Sequence, residues 1–252
     1  MNRTQMKDLK HRLRVTLVLV AFALVAAAMA TFAWFSIADN AKTRMLAMTA
    51  SAEGSLRFDL DEHDSFDQYV STLGFDSISS RISSELGVDI DTSKLQPVTT
   101  SDYQNFTFED GTAATAQSGA YLEFTLHFMS LDDCTVRLTG QDGSSGEPGT
   151  AFTSSISGLP SCMRLSFTAD GQTWVYNPES AAGTAASSGS ATVFGLDAGA
   201  ATDASNMFGL TASVDKSAVV RIWLEGTDEN CTNMVKGADY SISMRFESVE
   251  GQ

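Results

Sequence analysis

The sequence predicts a mainly β protein: an N-terminal transmembrane or signal helix, then an antiparallel β-sandwich of jelly-roll type with one or two short helices. An uncharged apolar run at residues 15–37 indicates the helix. Beyond it, short stretches of alternating apolar and polar residues recur between turn sequences, as in sheets with one buried face. This part is also rich in Ser, Thr, Gly, Ala and Asp, a composition that suits strands and turns. We therefore divide the chain into residues 1–14, 15–37 and 38–252.

The first two segments predict the orientation at a membrane. Residues 1–14 carry five Lys or Arg against one Asp, and residues 15–37 contain neither charge nor proline. A helix of that second length rises roughly 34 Å at 1.5 Å per residue, enough to cross a bilayer core of about 30 Å. Lys and Arg resist translocation. We expect residues 1–14 to be a cytoplasmic leader and residues 38–252 to be extracellular.

Two fates of the apolar segment stay open. Ala28-Met29-Ala30 fits the A-x-A pattern of a cleaved signal peptide. Trp34 and Phe35 instead lie where interfacial aromatic residues anchor a retained helix. The protein is thus expected either in the cell membrane with an extracellular domain, or secreted to the cell surface after cleavage.

The charge of the exported part limits its partners. The chain carries a net charge of −15 and the leader +4, which leaves −19 on residues 15–252. Such a surface repels nucleic acid and anionic lipid headgroups. Solubility accounts for the charge, and binding of cations or basic partners is the alternative. We expect no nucleic-acid partner, and contact with the membrane only through the N-terminal helix.

Alternating residues predict seven to nine strands. Leu122, Phe124, Leu126 and Phe128 share one face of the strongest, opposite Glu123, Thr125 and His127. A hairpin turns at Asp170-Gly171 between two such segments. The segments with this pattern are residues 56–60, 121–128, 135–139, 163–168, 173–176, 218–224 and 240–246.

One helix is predicted among the strands. Phe75, Ile78, Ile82 and Leu86 form an apolar stripe at helical spacing, and Gly87 provides a C-terminal stop. Two other stretches are expected to lack regular structure. Residues 95–100 read as an extended connector because Pro97 cannot donate a ladder hydrogen bond. Residues 179–206, rich in Ala, Ser, Gly and Thr, read mostly as loop.

The three cysteines predict one disulfide in an oxidising exterior. They are Cys134, Cys162 and Cys231, and the sequence leaves the pairing open. No two are spaced as C-x-x-C, which argues against a zinc or redox motif.

No catalytic, cofactor or metal site is predicted, and the chain is expected not to be an enzyme. It has no G-x-S-x-G, no H-E-x-x-H and no glycine-rich phosphate loop. His127 falls on the polar face of a strand, without an evident ligand role. The acidic stretch 59–67 lacks calcium-loop spacing, and Glu225, Asp228 and Glu229 read as turn formers after a strand.

Trp174 and Tyr176 are the candidate ligand contacts. Both lie on the predicted hairpin, and β-sandwiches bind sugars through exposed aromatic rings. Core packing is the alternative role for both residues.

Two groups of segments resemble known families. Ala30-Thr31-Phe32-Ala33-Trp34-Phe35-Ser36, with residues 51–56 after it, resembles the N-terminus of camelysin/TasA-type exported proteins of Gram-positive bacteria. The string Trp223-Leu224-Glu225-Gly226-Thr227-Asp228-x-x-Cys231, with residues 121–124 and 95–98, resembles surface proteins of Gram-positive gut bacteria. The matched segments cover about a quarter of the chain, and the long Ala/Ser/Gly stretch departs from TasA proper.

The resemblance implies a jelly-roll domain with a structural role in an extracellular, biofilm-type matrix. Such subunits polymerise when the N-terminal strand of one copy completes the sheet of the next. Residues 40–52 are then the expected donor strand, and an ordinary first strand in their own domain is the alternative. We expect a non-enzymatic surface protein that self-assembles or contacts other surface proteins. An adhesin or carbohydrate-binding module is the alternative, with a secreted hydrolase as a remote third class.

Overall fold

A computed structural model describes residues 15–16, 18–20, 44–87, 95–182, 185–197, 205–235 and 237–250. For residues 44–50 it describes the backbone alone. The predicted leader and most of the predicted membrane segment therefore lie outside the described residues. Within the described part, no helix is both long enough and apolar enough to span a bilayer.

The described residues form a mainly β structure with few helices, as predicted. Residues 15–16 and 18–20 are α-helical. The described residues contain two further α-helices, α1 (Phe75–Leu86) and α2 (Gly158–Cys162), and 3₁₀ turns occur at Phe66–Gln68, Ala116–Ser118 and Asn233–Val235. The sixteen strands of this part of the chain are β1 (Arg44–Ala52), β2 (Leu56–Asp59), β3 (Thr72–Leu73), β4 (Pro97–Val98), β5 (Phe106–Thr107), β6 (Ala113–Ala114), β7 (Leu122–Ser130), β8 (Cys134–Leu138), β9 (Ala151–Ser154), β10 (Met163–Ala169), β11 (Gln172–Tyr176), β12 (Ala185–Ser188), β13 (Ala191–Phe194), β14 (Asn206–Leu210), β15 (Lys216–Glu225) and β16 (Asp239–Glu250).

Most strands belong to two sheets. Sheet A has the order β14-β8-β16-β1-β3, with β9 also paired to β16. Sheet B has the order β12-β13-β11-β10-β15-β7-β2, with β4 also paired to β15. Strands β5 and β6 form a separate two-stranded ribbon.

The apolar faces of the two sheets share one core. Phe246 of sheet A contacts three rings of sheet B: Phe58 at 5.6 Å, Phe128 at 5.2 Å and Phe167 at 5.5 Å between ring centroids. All four rings are fully buried. Aromatic pairs at these separations stabilise a core beyond the area that they bury. Phe246 therefore joins the two sheets.

A second, smaller core covers the other face of sheet B. It comprises Val98, Phe106, Ala114, Ala116, Ala120, Tyr121, Val175 and Trp223. Most of these residues come from residues 95–121, which cross this face with β4, β5 and β6. Consecutive residues of β15 consequently point into different cores, with Ile222 and Leu224 in the large one and Trp223 in the small one.

The predicted helix and hairpin are confirmed. In α1, Ile78 and Ile82 are fully buried, and Gly87 caps the helix at φ 67° with its N–H bonded to the Ser83 carbonyl. Strands β10 and β11 pair antiparallel across Asp170 (φ 50°) and Gly171 (φ 76°). Two successive positive φ angles fit the right-handed twist of a tight hairpin.

Not all of the strand pairing is antiparallel, which corrects that part of the predicted fold class. Among the described strands, three pairs run parallel: β1 with β16, β11 with β13, and β4 with β15. The expectation of a connector at residues 95–100 was also wrong in part. Pro97 lies opposite Leu224 at the start of the two-residue strand β4, where its missing N–H interrupts no long ladder.

The expectation of a loop at residues 179–206 was wrong where it covers β12 and β13. These strands pair antiparallel through Ala185–Ser188 and Ala191–Phe194, and β13 extends sheet B beside β11. The Ala and Ser residues of β12 give no alternation of apolar and polar side chains, yet its backbone forms a regular ladder with β13. Phe194, fully buried, holds this edge in the large core.

Candidate functional site

A polar pocket lies where β15 ends. Its volume is about 260 Å³. Strand ends and loops from separate parts of the chain line it: Thr99, Thr100, Tyr103, Arg164, Val175, Asn177, Val193, Trp223, Glu225 and Thr227.

Arg164 is the buried cation of this pocket. Its side chain is 9% exposed, and its Nη1 donates to the carbonyls of Ser161 (2.6 Å) and Met163 (2.9 Å). Its Nη2 forms an ion pair with Asp228. Burial opposes ionisation of Asp228, but hydrogen bonds from Asn230 and the contact with Arg164 outweigh it and hold the pKa of Asp228 below its ordinary value. The guanidinium charge is therefore balanced within the protein.

An aromatic wall and one carboxylate complete the pocket. The Trp223 indole N–H donates to Glu225 Oε2 at 3.2 Å, and the Thr227 hydroxyl donates to Glu225 Oε1 at 2.7 Å. The Tyr103 ring lies 6.3 Å from that of Trp223, and burial together with the charge of Glu225 raises the Tyr103 pKa. A ligand here meets hydrogen-bond acceptors beside an aromatic face, a combination that suits a hydroxyl-rich molecule.

The pocket gives structural roles to residues of the string from Trp223 to Cys231. Trp223 fills the small core, Glu225 binds Trp223 and Thr227, and Asp228 neutralises Arg164. The turn-forming role expected of the acidic residues fits these contacts, since Asp228 also accepts the Asn230 N–H at 2.9 Å. Sequence reasoning missed Tyr103 and Arg164 because neither belongs to a local motif.

A second polar cluster joins β7 to the loop before β15. His127 Nδ1 lies 3.0 Å from Asp215 Oδ2, and the Tyr69 hydroxyl donates to Asp215 Oδ1 at 2.7 Å. Burial and this hydrogen bond raise the pKa of Tyr69 to about 12. His63 packs edge-on against Tyr69 with ring centroids 5.1 Å apart. Sequence analysis gave His127 no partner, because Asp215 is distant along the chain.

The acidic stretch 59–67 borders an open groove of about 650 Å³ beside α1. Its Asp61 pairs with Arg81 of α1 at 2.5 Å, and this hydrogen-bonded contact lowers the Asp61 pKa. Among the described residues, no group of three or more His, Cys, Asp or Glu side chains is arranged to hold a metal ion.

The candidate ligand contacts lie mainly in the core. Tyr176 is 6% exposed and stacks on Phe152 with ring centroids 5.5 Å apart. Trp174 is partly buried and packs against Phe208 at 5.8 Å. This placement leaves little of either ring for a ligand. Their ligand-contact role stays a prediction, and neither residue lines the polar pocket.

The predicted donor segment falls partly within the described residues, where it forms β1. Eight residues of β1 pair in parallel with β16, and Ala50 and Ser51 also pair with β3. Glu53 follows the strand and pairs with Arg245 of β16 at 2.5 Å. It also accepts hydrogen bonds from the N–H and the hydroxyl of Ser144, both at 2.9 Å. Glu53 therefore connects the end of β1 to β16 and to the loop that contains Ser144.

Comparisons with protein-family models, curated proteins and solved structures found no match to this chain. Its function is therefore inferred from the residues and contacts described above.

Proposed function

We propose that this chain is a non-enzymatic structural protein of a bacterial cell surface or extracellular matrix. In this proposal its two sheets form a sandwich of jelly-roll type, and copies join by exchanging β1. The expected leader and membrane segment support an exported location, and the position of β1 beside β16 supports the mode of assembly.

The bonding of β1 makes it suitable for exchange. Its ladder with β16 runs from Arg44 to Ala52, and the pairing with β3 covers only Ala50 and Ser51. Five of its nine residues are Ala, Ser or Thr, and we infer that backbone hydrogen bonds contribute much of its attachment. Backbone groups are the same in every copy of the chain. A second copy can therefore supply the same strand to the same position.

The junction after β1 provides the hinge for that exchange. Residues 53–55 connect β1 to β2, and Gly54 adopts φ +74°, a left-handed conformation that favours glycine. If residues 53–55 extend instead of turning, β1 leaves its own sheet and reaches another copy. The exchanged form and the monomer, in which β1 pairs with its own β16, then share their contacts and differ mainly at residues 53–55.

Two variants, each with one cysteine added to the three native ones, test the exchange. Ala47 lies opposite Ser241 in the register of β1 and β16, at the spacing that a disulfide spans. We expect Ala47→Cys copies mixed with Ser241→Cys copies to form a cross-linked heterodimer on a non-reducing gel. Ala47→Cys mixed with Ser217→Cys is the matched control, because Ser217 is exposed on sheet B.

The doubly substituted chain gives the decisive result. Ala47→Cys/Ser241→Cys in one molecule, oxidised as a monomer, holds β1 in its own sheet. We expect electron microscopy to show filaments of the unmodified protein and none of the locked monomer. Filaments from the locked monomer, or no heterodimer in the mixture, would overturn assembly by strand exchange.

The polar pocket favours binding of a single sugar ring as a second candidate function. Its volume of about 260 Å³ lies just below the usual range of about 300–1,000 Å³ for ligand pockets, and it combines the partly buried Tyr103 ring with the Glu225 carboxylate. In a monosaccharide titration by saturation-transfer NMR, we expect Glu225→Gln to lose the signal and Trp174→Ala to keep it. The opposite pattern would assign binding to the hairpin, and no signal from the parent protein would exclude this function.

A further inference from the structure

Two of the three cysteines meet beneath the turn that follows β15. Cys162 ends α2 and is fully buried, and Cys231 is 5% exposed. The Cys231 side chain lies within hydrogen-bonding reach of Cys162. The Cys162 thiol donates to the Leu159 carbonyl oxygen at 3.3 Å. Both are free thiols in the structure. Two buried cysteines on neighbouring segments are placed to form one covalent link.

The backbone around the two cysteines is held together independently of the sulfur atoms. Helix α2 packs against the 3₁₀ turn at Asn233–Val235. At Gly158, a Cβ would stand 3.5 Å from the Asn230 carbonyl oxygen and 3.7 Å from Val235 Cγ1. The two segments thus approach to van der Waals distance.

The buried ion pair between Arg164 and Asp228 connects the same two segments. Arg164 follows Cys162 by two residues, and Asp228 precedes Cys231 by three. The ion pair and the packing of α2 therefore both hold the segments of Cys162 and Cys231 close together.

Cys134 occupies a different environment. It begins β8 in sheet A, where its strand neighbours are Leu210 and Glu250. Cys162 precedes β10 in sheet B. This arrangement selects one pair from the three that the sequence allows.

We propose that Cys162 and Cys231 are oxidised to a disulfide while the exported chain folds, and that Cys134 remains a buried thiol. This inference rests on the exported location proposed above, because cytosolic thiols are kept reduced. The oxidant is a protein or small-molecule disulfide. One cysteine thiolate attacks it and releases one thiol, and the other cysteine attacks the mixed disulfide and releases the second. The two protons and two electrons of the pair pass to the oxidant, which becomes two thiols.

The step belongs to folding rather than to the finished structure. The hydrogen bond with Cys162, together with burial, raises the pKa of the Cys231 thiol, so Cys231 keeps its proton near neutral pH. Exchange requires a thiolate that can reach the oxidant. Before α2 and the turn after β15 close over the two cysteines, their thiols are exposed to water, where they can ionise and can reach the oxidant. Once formed, the link encloses β10 to β15.

Refolding of the purified full-length chain tests the pairing. The chain is reduced and denatured, refolded in a mixture of reduced and oxidised glutathione, and treated with N-ethylmaleimide under denaturing conditions. Trypsin then separates the cysteines into residues 95–137, 138–164 and 222–236. We expect mass spectrometry to find residues 138–164 linked to 222–236, with Cys134 alkylated. Alkylation of all three cysteines, or a link to residues 95–137, would overturn the proposal.

Thermal unfolding with and without reductant provides the matched control. Closing a loop of this length stabilises the folded chain, so we expect reduction to lower Tm by roughly 5–15 °C. Cys134→Ala should keep this response, whereas Cys162→Ala and Cys231→Ala should lose it. A response that depends on Cys134 would contradict the pairing.

A cell-fractionation arm separates this inference from the proposed location. Material from the surface fraction should carry the link without added oxidant. Reduced protein in the cytosol, together with a correct link after refolding, would retain the pairing and overturn the exported location. Surface material with Cys162 alkylated would retain the location and overturn the disulfide.

Discussion

Arg245 shows how one residue joins the segment after β1 to strand β16. Its side chain is 2% exposed, and it pairs with Glu53 at 2.5 Å and with Glu247 at 2.7 Å. It also donates to the Gln141 carbonyl at 3.2 Å. A buried cation needs such partners because removing one leaves a charge away from water. Arg164 follows the same principle with Asp228.

The ion pair of Arg164 predicts the effect of removing its partner. Asp228→Asn leaves the buried guanidinium without its counter-charge, so we expect a loss of about 3–5 kcal/mol in the free energy of unfolding. Asp170→Asn is the matched control, because Asp170 pairs with Lys216 but is 70% exposed. Its loss should stay below about 1 kcal/mol. Equal losses in urea denaturation would contradict a special role for the buried pair.

The carboxylates around Arg245 predict how stability changes with pH. Hydrogen bonds from Ser144, reinforced by Arg245, lower the Glu53 pKa. Burial opposes the shift at Glu247, but Arg137 and Arg245 outweigh it and lower that pKa too. Because these pKa values are lowered in the folded state, the two carboxylates stabilise the fold above their ordinary pKa of 4.5. This stabilisation is lost as the pH falls through the lowered pKa values.

We therefore expect the urea midpoint to fall steadily as the pH is lowered from 4.5. Glu247→Gln should weaken that dependence while lowering the midpoint at pH 7. A series of urea titrations between pH 3 and pH 7 measures both effects. An unchanged slope in the variant would contradict the assignment to Glu247.

At the level of elements, prediction succeeded where one face of a segment is buried. Strands β7, β10, β11, β15 and β16, and helix α1, have apolar residues at the period of their secondary structure. The sequence missed β12 because Ala and Ser give no alternation, and it missed β13 because its buried residues, Ala191 and Phe194, lie three apart rather than two. It did not predict that β15 is buried on both faces, because Trp223 packs against residues distant along the chain.

Helix α1 predicts a simple substitution experiment. Ile82 is fully buried beside Ile78, so Ile82→Ala should cost about 2–5 kcal/mol in the free energy of unfolding. Ser80→Ala, at an exposed position of the same helix, should change it by less than about 0.5 kcal/mol. Chemical denaturation of both variants decides whether the apolar stripe is a packing face. Little change in Ile82→Ala would contradict that role.

For the whole molecule, the sequence predicted the class of fold but not the assembly of its sites. Tyr103, Arg164, Asn177 and Trp223 come from four separate segments and meet only in the folded structure. The pairing of His127 with Asp215 is equally non-local. The residues from Trp223 to Cys231 are adjacent in sequence, yet their acidic members were interpreted as turn formers and no pocket was predicted there.

The shared core predicts that the two sheets unfold together. Phe246→Ala removes the ring that contacts Phe58, Phe128 and Phe167, and we expect a loss of about 3–5 kcal/mol. Tryptophan fluorescence and far-UV circular dichroism should report coincident transitions in both parent and variant. Leu131→Ala, at a position 53% exposed, is the control. Separate transitions for the two probes would contradict a common core.

The parallel alignment of β1 and β16 determines how the fold responds to tension. Arg44 lies opposite Asp239 and Ala52 opposite Phe246, so the first and the last of the described strands run the same way. A pull that separates Arg44 from Glu250 is directed along both strands. The backbone hydrogen bonds between them are then loaded simultaneously in shear, rather than broken one after another as in unzipping. A tether fixed before β1, with a load applied after β16, would draw on the mechanical resistance of this entire ladder.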